Sequence, residues 1–195
     1  MVVRDLIDGD GVLKLPETIN VPNFINTRGL VFTLTEIGAN SFDGLDNLKE
    51  LQIPASVKTI KWSFYNCRHL QNIYVDNANT EFKSVDGVLF SKDGKHLIAY
   101  PNAHGTKAYH VPIGTKEIDH FAFKSNQDVE EIYLPEGLTG IGDNAFYRCE
   151  ALRIVHLPDS IRKIGGSEGD AQIRFQFEYK SELFDYENAK MEINK

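Results

Sequence analysis

Only two cysteines, Cys67 and Cys149, occur in the chain, too few for the disulfide framework that staples small secreted domains. No run of four or more Lys/Arg appears, and the net charge is −7 with a pI near 5.4. Nucleic-acid binders carry a basic stripe, so this balance argues against phosphate recognition. No apolar run approaches the roughly 18 residues that a membrane-spanning helix needs. Asn-x-Ser/Thr sequons are missing, which removes glycosylation as a clue to compartment. The opening MVVRDLIDGDGV does not read as a signal peptide, because its apolar stretches are short and interrupted by Asp. The expectation is a cytosolic protein, or a mature or excised piece whose signal has been removed. Catalytic signatures are also missing: no Gly-x-Ser-x-Gly, no phosphate-cradling glycine loop and no His-Glu-x-x-His. Neither catalysis nor a cofactor is expected.

What is present is repetition. Ile37–Ile60, Ile118–Ile141 and Ile141–Ile164 are three equal intervals of the same grammar, and a fixed period of this size signals a solenoid or similar array. The units align on an anchor phenylalanine: Phe42, Phe64, Phe123 and Phe146. Leu48, Leu70, Val129 and Leu152 fill the next apolar column. Leu51, Ile73, Ile132 and Val155 form another, and Ile53, Val75, Leu134 and Leu157 a third. The last two columns lie two residues apart, which is strand alternation, and Pro54, Pro135 and Pro158 stop the strand. One such unit cannot bury its apolar face, whereas stacked units make a continuous core.

One unit is enlarged. Between Val75 and Val111 the chain holds Val88-Leu89-Phe90 and Leu97-Ile98-Ala99-Tyr100 around a turn signal at Asp93-Gly94, which reads as an inserted β-hairpin. The expected organisation is an N-terminal cap over residues 1–36, a solenoid over 37–165 with the hairpin-bearing repeat at about 76–110, and a C-terminal cap or tail over 166–195. Within the first segment, residues 6–15 read as strand–turn–strand. In the last, Ile173–Lys180 reads as a half-buried strand, and the residues beyond it as a short helix in a C-terminal cap or, alternatively, as disorder beyond about Tyr186.

The run Ile-Gly-x-x-Ala-Phe-x-x-Cys-x-x-Leu-x-x-Val-x-Leu-Pro at Ile141–Pro158 resembles the BspA-like leucine-rich repeat family. Val85–Pro101 resembles the hairpin-bearing variant of the same repeat. The resemblance covers about residues 29–165. It implies a right-handed, mostly β solenoid of units about 23 residues long, with a parallel sheet along its concave side. It also implies a secreted or surface location and a protein ligand from the host, the matrix or another surface. The family offers no catalytic residues to carry over. This chain departs from the pattern at Ile60-Lys61-Trp62-Ser63-Phe64, which is one residue short.

If the buried columns point inward, the residues beside them point out of the sheet. That exposed ladder comprises Gln52, Tyr74, His110, Tyr133 and His156, flanked by Glu50, Asn72, Ala108, Glu131 and Ile154. Tyrosine and histidine in such a ladder suit a partner-binding face, since tyrosine adds contact area at low entropy cost. They equally suit plain cross-strand stabilisation of the sheet. The functions to separate are a protein-interaction or adhesion module, a structural spacer displaying other domains, and a carbohydrate-binding surface. The hairpin at Val88–Tyr100 is a second candidate surface. No metal site is expected: His110 and His156 lie two rungs apart, and His69, His96, His104 and His120 lack ligand spacing. Cys67 and Cys149 are expected to be buried reduced thiols. Asp76–Glu81 lacks the alternate spacing of a calcium loop and reads as a polar turn. Oligomeric state is open.

Overall fold

The computed structural model describes Asp10 and residues 12–14, 18–20, 31–61, 63–64 and 66–165. Every regular element among them is a strand. Six form the longer rungs of a solenoid: β1 (Val12–Lys14), β5 (Glu50–Ile53), β7 (Asn72–Val75), β11 (Ala108–His110), β13 (Glu131–Tyr133) and β15 (Ile154–His156). They pair in parallel in two groups of three, β1-β5-β7 and β11-β13-β15. The expected inward column is buried at Leu51, Ile73 and Ile132, all at 0% exposure, and partly buried at Val155.

Shorter strands make the other side of each coil. β4 (Glu36–Ile37) pairs with β6 (Thr59–Ile60). A larger sheet runs β16 (Lys163–Ile164), β14 (Gly140–Ile141), β12 (Glu117–Ile118), β10 (His96–Ala99), β9 (Val88–Ser91), β8 (Phe82–Val85). An antiparallel pair, β2 (Thr18–Asn20) with β3 (Val31–Thr33), completes the inventory. The strand expected at Leu6-Ile7 and the whole reading of residues 166–195 lie outside the described residues. β1 is in register with β5, so Val12–Lys14 is itself a rung.

The turn from short strand to anchor ring explains the residue types around each phenylalanine. Two residues before the anchor, Asn40, Phe121 and Asn144 have φ of 58°, 60° and 54°. Two residues after it, Gly44, Asn66, Ser125 and Arg148 have φ between 54° and 67°. The left-handed region disfavours side chains other than Gly and Asn, so Phe121, Ser125 and Arg148 are held there by the stacking of neighbouring coils. The next slot carries polar groups to the coil before it. Cys67 Sγ donates to the Phe42 carbonyl at 2.9 Å and Cys149 Sγ to that of Phe123 at 3.0 Å. Asn126, fully buried, donates to Pro101 and Asn102 carbonyls and accepts from the Asp128 and Val129 amides. Burial pushes both thiols up to about 12, as expected of buried, reduced cysteines.

The enlarged repeat holds a three-stranded meander instead of one hairpin. β8 and β9 are joined by Asp86-Gly87, both left-handed at φ 49° and 79°, which is the two-residue turn matching strand twist. β9 and β10 are joined through Lys92–Lys95, with Gly94 at φ 78°. The apolar residues of the hairpin are interior, contrary to the expectation of a surface, and only its turns, with Lys92, Asp93 and Lys95, are exposed. Val88, Leu89 and Phe90 are all at most 1% exposed, and Leu97, Ala99 and Tyr100 are buried too. The reason is that β9 separates two hydrophobic cores. Leu89 belongs to the cluster of Phe42, Leu51 and Ile73, while Val88 and Phe90 belong to that of Phe123, Ile132 and Phe146.

The anchor column breaks at the same place. Phe42 stacks on Phe64 at 5.6 Å, and Phe146 meets Phe123 at 5.4 Å. Tyr100, stacked on Phe123 at 4.7 Å, takes the anchor position of the enlarged repeat. Between Phe64 and Tyr100 lies a cavity of about 80 Å³.

Candidate functional site

The exposed ladder is positioned by parallel register. His110 pairs with Tyr133 and Tyr133 with His156, so three rings rise in a column. They lie nearly parallel: His110 to Tyr133 is 4.3 Å between centroids at 11°, and Tyr133 to His156 is 4.1 Å at 8°. Beside them the register aligns Ala108, Glu131 and Ile154. Ile154 is 45% exposed, unusual for an isoleucine, and His110 is exposed as well.

Glu131 ties this column together. The Tyr133 hydroxyl donates to Glu131 Oε2 at 2.6 Å. That bond lowers the Glu131 pKa and raises that of Tyr133, because it favours the carboxylate and the neutral phenol. His156 Nε2 lies 3.6 Å from the same oxygen and is closed off from solvent without a hydrogen bond.

The other predicted residues lie elsewhere. Glu50 aligns with Asn72 and Gln52 with Tyr74 on β5 and β7, forming a second patch in which Tyr74 is 41% exposed. The two patches are not one ladder, because the Asp86-Gly87 tip is wedged against β7. The Ile73 amide donates to the Gly87 carbonyl at 2.8 Å, and Ser84 Oγ donates to the Ile73 carbonyl at 2.6 Å. From the other side, His104 Nε2 meets the Asp86 carbonyl at 2.7 Å. Its Nδ1 lies 3.1 Å from the Tyr100 hydroxyl and 2.9 Å from Thr106 Oγ1. Nε2 can donate to that carbonyl, while Nδ1 faces two hydroxyls able to donate or accept.

Next to Tyr74 the wedge leaves an open depression of about 390 Å³, bordered by Asp76, Asn77, Lys83, Asp86 and Lys92. Sequence reasoning missed these neighbours. The signal for them was Asp86-Gly87, a hairpin turn dipeptide like Asp93-Gly94.

The remaining histidines serve local contacts. His69 Nδ1 is 2.7 Å from the Asp46 carbonyl, His96 Nδ1 is 3.1 Å from Asp119, and His120 Nδ1 is 3.4 Å from Asp143. Asp76–Glu81 is a turn built on its own side chains. Asp76 Oδ1 accepts the Ala78 amide, and buried Asn79 bonds to Pro54, Val57, Glu81 and Phe82. Among the described residues, no group of three or more His, Cys, Asp or Glu is placed to hold a metal ion, and no helix is long and apolar enough to cross a membrane.

Comparison with known proteins places this architecture. The family model for the BspA type leucine-rich repeat region matches residues 20–94 and 98–168, in six copies. The pneumococcal vaccine antigen PcpA is similar in structure, with 31% identity and a TM-score of 0.62 over 68% of this chain and 38% of its own. A leucine-rich repeat protein from Eubacterium ventriosum has 31% identity and a TM-score of 0.63, over 67% of this chain and 35% of its own. A leucine-rich cell surface protein from Faecalibacterium prausnitzii has 28% identity and a TM-score of 0.58, over 66% of this chain and 34% of its own. This chain thus spans little more than a third of the length of those proteins. No curated protein matches it. The chain belongs to the BspA-type leucine-rich repeat family.

Proposed function

We propose that this chain is a non-catalytic protein-interaction module of a bacterial surface or secreted protein. It captures a protein ligand on the face formed by His110, Tyr133 and His156 with Glu131 and Ile154. The observation that carries this reading is the column of three parallel rings beside an isoleucine 45% exposed. Aromatic groups and exposed apolar groups concentrate where a partner excludes water, whereas a face needing only solubility favours Lys, Glu and Ser. The rings are already ordered by one another and by Glu131, so little side-chain entropy remains to be lost on binding. Surface display is supported by the Faecalibacterium relative, described as a cell surface protein, and by the family.

The test is an affinity capture from extracellular-matrix and host-cell protein extracts, comparing the wild type with His110→Ala/Tyr133→Ala. The expected result is a protein retained by the wild type and lost by a variant whose circular dichroism is unchanged. Equal retention by both would overturn the assignment of this face. If neither retains a protein, the chain is better read as a spacer that displays other domains, a role compatible with its short span of the relatives it matches.

A further inference from the structure

We infer that the depression beside Tyr74 is a separate binding site for a neutral saccharide, distinct from the protein-binding face and independent of that reading. Its chemistry is mixed in a particular way. Tyr74 offers an aromatic ring 41% exposed, rare for a large apolar side chain among the described residues. Asp76 and Asp86 stand against Lys83 and Lys92 around the rim, so the charges cancel and no net field selects an ion. Part of this set is already engaged: Lys92 Nζ donates to the Asn77 carbonyl at 3.2 Å, and Asp76 Oδ1 takes the Ala78 amide at 2.8 Å. The Asp86 carboxylate and the Lys83 ammonium have no hydrogen-bond or ion-pair partner among the described residues. The site therefore combines a flat apolar platform, a strong acceptor and a strong donor. A sugar ring presents the complement, with an apolar C–H face on one side and hydroxyls that both donate and accept at its edge. The volume of about 390 Å³ lies within the usual range for small-molecule sites.

The walls are rigid, which a weak polar ligand requires. Asp86 is held left-handed at φ 49° in the two-residue turn, and its carbonyl is fixed by His104. Gly87 is packed so closely that a Cβ there would lie 2.3 Å from Asn72 Oδ1. The hairpin tip is thus held against β7, the strand that carries Tyr74.

The experiment is an NMR titration of the ¹⁵N-labelled full chain with glucose, galactose, mannose, N-acetylglucosamine and their disaccharides at millimolar concentration. The expected result is that one of these shifts the amides of Tyr74, Lys83 and Asp86. Tyr74→Ala should abolish the shifts, and Asp86→Asn, which keeps a residue tolerant of the left-handed turn, should weaken binding about tenfold. Tyr133→Ala should leave the titration unchanged, which separates this site from the protein-binding face. Absence of shifts at these residues with every saccharide would overturn the inference. So would shifts that persist in Tyr74→Ala, or shifts confined to the Tyr133 face. Shifts at the same residues on adding an unglycosylated mixed-charge peptide, with none from any sugar, would reassign the depression to peptide binding.

Discussion

Phe90→Ala and Leu89→Ala, made separately, test whether β9 is an internal wall. The two side chains leave the same strand in opposite directions, Leu89 into the amino-terminal core and Phe90 into the carboxy-terminal one. Both are essentially unexposed, at 0% and 1%. Truncating a buried phenylalanine to alanine costs about 3–5 kcal/mol and a leucine about 2–5, the spread reflecting how far the surroundings collapse into the gap. Collapse is restricted here, because β9 is flanked by β8 and β10 in its sheet and faces a core on each side. We therefore expect at least about 3 kcal/mol for Phe90→Ala and at least about 2 for Leu89→Ala. Against a total of about 5–15 kcal/mol, either change removes a large share of the stability. The assay is urea denaturation followed by far-UV circular dichroism, with hydrogen exchange locating the loosened amides. Each variant should lose protection on both sides of the meander, because the wall is shared. Losses within about 0.5 kcal/mol for both variants, the range of exposed positions, would refute the reasoning and return the meander to the status of a surface decoration.

Gly87→Ala should destabilise by at least about 2 kcal/mol, since it adds left-handed strain and a collision with Asn72. Gly105→Ala, equally left-handed at φ 84° but with open space around it, should cost only about 1 kcal/mol, and denaturant midpoints compare the two. Ser125→Gly should stabilise by about 1 kcal/mol and raise the thermal midpoint by about 2–4 °C. It relieves a φ of 62° and removes a buried hydroxyl without a partner. Glu131 should titrate below an ordinary glutamate in a carboxyl-detected NMR experiment, and Tyr133→Phe should move it back. Because the folded-state pKa is the lower one, the associated stability is present above the unfolded pKa and lost as pH falls through the folded value. A Glu131 titration unchanged in Tyr133→Phe would contradict the hydrogen-bond explanation.

The inward register of Leu51, Ile73 and Ile132 was readable because stacking forces each coil to repeat the same columns. The enlarged repeat was harder, because its anchor is Tyr100 instead of phenylalanine and the spacing is broken there. Two Asp-Gly dipeptides lie in that stretch, and attention to Asp93-Gly94 alone concealed β8 and the tighter turn at Asp86-Gly87. The run Val88-Leu89-Phe90 carried the clue to its burial, since a strand covered on both faces reads as continuous rather than alternating apolar sequence. The splitting of the exposed ladder was not legible. It depends on where the Asp86-Gly87 tip lands, and the Ile73–Gly87 hydrogen bond joins segments that share no column.

An array of equal coils is ordinarily tolerant of recombination, since a unit can be copied or removed and its neighbours close over the change. Here that freedom is regional. On either side of the meander, each coil joins the next through matching strands and a cysteine or asparagine reaching back to the preceding backbone. A duplication confined to one side preserves those joints. A crossover between β7 and the Asp86-Gly87 tip, or between Leu89 and Phe90, would instead divide a contact that joins segments of different columns or two different cores. The array can lengthen from its two flanks, while its middle has to be inherited as a single piece.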